Sequence, residues 1–142
     1  MKRGTMFLCA GLAIAGLCLI MGAASAQDAA IYDKGAPNAE AIGWRLGCQA
    51  YSFNRFTFFE AVDKNASMGL HVIEAYPGQA LSKDIPDGVF DHNMTPELQA
   101  KALEKLKSAN VKVVNYGVVG LPNKEDECRK VFDFAKKMGI ET

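Results

Sequence analysis

From about residue 45 onward, short apolar runs alternate with longer stretches in which apolar residues recur every three or four positions. The first run, about 45 to 51, leads into Phe53, Phe56, Phe58 and Phe59. A helix is expected from about Phe56 to Met68, with Phe59, Val62 and Ala66 on one face and Glu60, Asp63 and Lys64 on the other. Gly69 stands where a C-terminal cap belongs. A second strand, about 71 to 76, carries Val72 and Ile73 and ends before Pro77-Gly78, and residues 77 to 94 show no sustained period and read as a long loop. Thr95 and Pro96 open a second helix with a cap and a first-turn proline, followed by Leu98, Ala102, Leu103 and Leu106. Val111 to Tyr116 is apolar in both registers, as a strand covered on both faces would be. A third helix follows, capped by Asn123, with Glu125, Asp126 and Glu127 in its first turn, Val131, Phe132 and Ala135 inward, and Gly139 at its end. Ile140-Glu141-Thr142 reads as the first step of a fourth strand.

Strands joined through helices are parallel neighbours with right-handed crossovers, which leaves an open doubly wound sheet or a (β/α)8 barrel. No Gly-x-Gly-x-x-Gly follows the first strand and no Gly-x-x-x-x-Gly-Lys-Ser/Thr occurs, so a nucleotide-binding open sheet has no support. The expected fold class is therefore α/β of the (β/α)8 TIM-barrel type, with about the first three and a half units present. Polar and aromatic residues gather where the strands end: Gln49 and Tyr51, then Glu74, Tyr76 and Gln79, then Tyr116. In parallel α/β sheets ligands bind at that end.

The amino-terminal stretch changes the picture of the whole chain. Lys2 and Arg3 precede an uncharged apolar run from Met6 to Met21 and Ala24-Ser25-Ala26, the pattern of an export signal over residues 1–26. Residues 27–43 are small, polar and aperiodic, a linker or arm before a domain at 44–142. Without Lys2 and Arg3, 14 basic residues face 16 acidic ones, and no basic patch interleaved with aromatics supports nucleic-acid binding. Export points to a periplasmic or secreted protein that is free of the membrane once its signal is removed. Cys48 and Cys128 would then be the only cysteines, too few for a disulfide framework and read as small buried thiols.

Leu46-Gly47-Cys48-Gln49-Ala50-Tyr51-Ser52-Phe53, Val72-Ile73-Glu74-Ala75-Tyr76 and Val113-Val114-Asn115-Tyr116-Gly117-Val118 together resemble the opening units of sugar phosphate isomerase/epimerase proteins, of the xylose isomerase-like TIM-barrel group. That resemblance implies a divalent-metal enzyme that binds a sugar or polyol and moves a proton between neighbouring carbons. The metal ligands of such proteins, typically Glu, Asp, His and Glu, come from later strands. No metal or catalytic residue is carried over onto this sequence. What it does imply here is one wall of a substrate pocket, made of Gln49, Tyr51, Phe53, Glu74, Tyr76 and Tyr116. Amides and carboxylates fix hydroxyls by directed hydrogen bonds, and aromatic faces cover the C–H patches of a sugar ring.

Glu74 is the most informative of the six, because a carboxylate at the inner end of a parallel strand is costly to bury unless something pairs with it. The two histidines do not stand at metal-ligand spacing: His71 opens a strand at the far end, and His92 lies in the long loop near Asp87 and Asp91. The leading expectation is an exported sugar isomerase/epimerase-like protein of which this chain is an incomplete and inactive portion, with an open sheet edge available for self-association. The alternatives are a carbohydrate-binding half-barrel without turnover, and a metal-dependent phosphodiesterase or nuclease of the same superfamily.

Overall fold

The structure, a computed structural model, describes residues 34–142. The expected signal peptide at 1–26 and residues 27–33 of the expected arm lie outside the described residues. The remainder of that arm forms a short helix, α1 (Pro37–Ala41). Then come β1 (Gly47–Gln49), a 3-10 turn at Ala50–Phe53, α2 (Phe58–Ser67), β2 (Val72–Ala75), β3 (Gln79–Ser82), β4 (Ile85–Phe90), α3 (Pro96–Ser108), β5 (Lys112–Tyr116) and α4 (Glu125–Met138). None of the helices described is long and apolar enough to cross a membrane.

Capping chemistry sets several of these boundaries. Thr57 and Glu60 form a reciprocal capping box at the start of α2, the threonine hydroxyl accepting from Glu60 N and the Glu60 carboxylate from Thr57 N. Thr95 Oγ1 accepts from Leu98 N at 3.4 Å, with Pro96 at the first helical position of α3. The expected cap at Asn123 is not used: Lys124 occupies that position and its side chain makes no capping bond. Gly139 ends α4 in the left-handed conformation, φ 75°, where a side chain would be strained.

β1, β2 and β5 form a parallel sheet in the order β1-β2-β5. Gly47 is required in that sheet by close approach, since a Cβ there would lie 2.3 Å from the Val72 carbonyl oxygen. Ile73 and Ala75 of β2 and Val113 of β5 are buried in one cluster with Phe58, Ala61 and Val62 of α2, Ala102 and Leu106 of α3, and Phe134 and Met138 of α4. The inner face of α4 is therefore Val131, Phe134 and Met138, and Phe132, expected inside, is 61% exposed. Beyond β5, Thr142 N donates to Val114 O at 3.1 Å and Tyr116 N donates to Thr142 O at 3.0 Å, the bonding pattern of a parallel neighbour around Asn115.

The expectation of a partial (β/α)8 barrel is overturned. The molecule is a small α/β domain with a three-stranded parallel sheet and a separate two-stranded antiparallel sheet. The segment read as a long loop holds the second sheet: β3 and β4 pair antiparallel, with Gln79 opposite Phe90, Ala80 opposite Val89 and Ser82 opposite Ile85. Its alternation is real, since Gln79 and Leu81 are buried while Ala80 is exposed, and Phe90 is buried while Val89 is exposed. Pro86, Gly88 and the shift between Ala80 and Ser82 obscured that alternation, and the Lys83-Asp84 turn carries no glycine or asparagine. Phe90 fastens the hairpin to the main domain. Its ring stacks on Phe58 at 4.0 Å and meets Phe134 edge-on at 5.6 Å.

Candidate functional site

The helices leave one face of the parallel sheet uncovered, and polar residues gather there. Register places Gln49 of β1 beside Glu74 of β2, and Glu74 beside Asn115 of β5. An amide, a carboxylate and an amide thus stand in a row across three strands, at a spacing of about 4.8 Å per strand. The row depends on an irregularity. Ile73 pairs with Val113 but Glu74 pairs with Asn115, so Val114 is an extra residue on β5. Such bulges re-aim side chains and are common next to binding sites. Without this one, Val114 would stand beside Glu74.

The three residues line a cleft of about 330 Å³ together with Arg45, Gly47, Cys48, Val72, Ile73 and Val114. That volume lies at the lower end of the range of roughly 300–1,000 Å³ for small-molecule sites. Glu74 is half-buried, and among the described residues no hydrogen-bond or ion-pair partner holds its carboxylate. Gln49 Oε1 accepts from Tyr51 N, which orients the amide and leaves its NH2 group free to donate. Arg45 borders the cleft, but its guanidinium is held by Glu141 in a bidentate pair at 2.7 and 2.6 Å. Burial pushes the Cys48 thiol up from its ordinary value, which keeps it neutral.

Of the six residues expected to build a pocket wall, the structure brings Gln49 and Glu74 together in this cleft. Tyr51 and Tyr76 form an edge-on aromatic pair at 5.1 Å beside the ends of β1 and β2, with Tyr51 59% exposed. Phe53 packs against the core. Tyr116 is buried, in contact with Phe90 and Phe134, and its hydroxyl meets His92 Nδ1 at 3.1 Å. Burial pushes its phenol up to about 12. Asn115 stands outside the six expected residues, and its sequence signal is a lone amide following Val113 and Val114.

Three neighbouring residues are structural. Asn65 is buried and spans two backbone groups, Oδ1 accepting from Cys48 N at 3.2 Å and Nδ2 donating to Leu70 O at 2.9 Å. Gln79, 2% exposed, donates from Nε2 to the carbonyls of Phe53 and Phe56. His71 is exposed, and its Nδ1 lies 3.0 Å from Asn110 O. The divalent metal implied by the family resemblance was expected to take its ligands from later strands, and the row described here is not a metal-ligand set. The row offers one carboxylate between two amides, and no group of three His, Cys, Asp or Glu among the described residues is arranged to hold a metal ion. Cys48 and Cys128, expected as buried thiols, are both half-buried and unbridged, and Cys128 Sγ donates to Pro122 O at 2.9 Å.

Fold and cleft define the chain as a small α/β domain with a polar row on the open face of a parallel sheet. No family model matches the chain, and no curated protein sequence does. Among solved structures it is similar to the crystal structure of an uncharacterized protein from Parabacteroides distasonis ATCC 8503, at 26% identity and a TM-score of 0.63. The match covers 68% of this chain and 40% of that one, so it takes in less than half the length of that relative.

Proposed function

We propose that this is an exported protein that recognises a sugar or polyol through Gln49, Glu74 and Asn115, in keeping with its resemblance to sugar phosphate isomerase/epimerase proteins. The observation that carries the reading is the unpartnered, half-buried Glu74 carboxylate set between two amides in one cleft. Hydroxyl groups donate and accept, so a polyol satisfies a carboxylate and two amides at once, whereas an apolar ligand would leave all three unpaired. The Tyr51–Tyr76 pair beside the strand ends supplies the kind of aromatic surface that covers ring C–H groups. These residues are assigned to binding, through hydrogen bonds to sugar hydroxyls.

The test is amide-detected NMR of the chain titrated with a panel of monosaccharides and alditols. The side-chain NH2 signals of Gln49 and Asn115 are expected to move, while that of Gln99, on α3, stays still. Asn115→Leu is expected to weaken binding about tenfold. Titration shifts that spare the row, or none with any of the panel, would overturn the reading.

A further inference from the structure

The cleft carries one unanswered charge. Arg45 borders it but is committed to Glu141 through both guanidinium nitrogens, at 2.7 and 2.6 Å. Cys48 is a neutral thiol, and Gln49, Asn115 and the valines bring no charge. Glu74 is thus the cleft's one acidic side chain without a partner, half-buried and set in register between two amides.

We infer that the row selects a sugar bearing a protonated amine over neutral and acidic sugars, with Glu74 accepting from the ammonium and the amides of Gln49 and Asn115 bonding adjacent hydroxyls. This rests on the sugar reading above and narrows it to a ligand class. A hydrogen bond between an ammonium and a carboxylate is roughly twice as strong as a neutral one. The cation also offsets the desolvation of a carboxylate that has no partner in the protein. A divalent metal ion is a poorer match, since it asks for several oxygen ligands and the row supplies one carboxylate. A uronate would set a second negative charge against Glu74, which costs affinity.

The experiment is calorimetric titration of the full chain with glucosamine, N-acetylglucosamine, glucose and glucuronate, in a mildly acidic buffer that keeps the amine protonated. Glucosamine is expected to bind about tenfold more tightly than glucose. N-acetylglucosamine, which keeps the nitrogen but loses the charge, is expected to bind no better than glucose, and glucuronate more weakly than glucose. Glu74→Gln is expected to remove the preference for glucosamine. Raising the pH until the amine is neutral gives the same comparison without mutation, and the preference is expected to vanish there too. Equal binding of glucosamine and glucose overturns this inference and leaves the sugar reading standing. A preference that survives Glu74→Gln or deprotonation of the amine also overturns it. Binding of none of the four sinks the sugar reading itself.

Discussion

The two faces of one short parallel sheet are made from adjacent residues and do opposite things. On β2, Ile73 and Ala75 are fully buried against helices and hairpin, while Glu74 between them stands half-buried in an open cleft without a partner. Strand alternation puts the two roles one residue apart. The comparison separates side chains that hold the domain together from those that it presents to solvent. The covered face is apolar and closely packed, so its stability comes from area removed from water. The open face retains polar groups that the fold leaves unsatisfied.

The largest expected effect is on the covered side. Phe90→Ala removes the ring that stacks on Phe58 and meets Phe134 and Tyr116, and is expected to cost about 3–5 kcal/mol in a urea melt. A loss below about 1 kcal/mol would mean that the hairpin is not anchored through this ring.

A smaller effect comes from Glu60, where α2 meets the hairpin. A hydrogen bond from Lys83, aided by the backbone of Thr57, lowers its carboxyl from 4.5 to about 2. The folded state thus binds the proton less readily than the unfolded chain, so this contribution is complete above about 4.5 and is lost as pH falls toward 2. Glu60→Gln is expected to flatten that part of the pH–stability curve. Equal slopes for the variant and the parent between those limits would remove Glu60 from the account.

The smallest effect is expected on the open face. Glu74→Gln should leave the urea midpoint nearly unmoved, within about 0.5 kcal/mol, because no residue described depends on that carboxylate. A large destabilisation would turn Glu74 into a structural residue and erase the distinction between the two faces.

Much of the covered face was legible in the sequence. Val72-Ile73 and Val113-Val114 mark two strands, Thr95-Pro96 opens α3, and Gly139 closes α4, each through a local rule that packing did not override. The hairpin was not legible, because Pro86 and Gly88 interrupt its alternation and its turn lacks the residues that announce one. Phe132 was placed inward because a phenylalanine beside Val131 looks like core, whereas Val131, Phe134 and Met138 keep the better helical spacing. The barrel expectation failed for a different reason. Successive strand-helix units show that strands run parallel, and say nothing of an antiparallel pair set between them. Within the site, Glu74 could be read from its own position as a carboxylate ending an apolar strand. Asn115 shows in the sequence only as a lone amide beside two valines, because its place next to Glu74 comes from a register shift that no residue in β5 advertises, and Tyr116 follows the same strand into the core.

That shift, one extra residue in β5 against the Ile73–Glu74 step, means that the face is written in chain length as well as in residue identity. Deleting Val114 would straighten the pairing while keeping each remaining side chain, and inserting a residue before Gln49 would turn β1 over. Point substitutions at the row change one side chain and leave the face as it is. A change of one residue in length away from that extra position would exchange what the domain shows to solvent for what it hides, so the character of this surface is more exposed to insertions and deletions than to substitution.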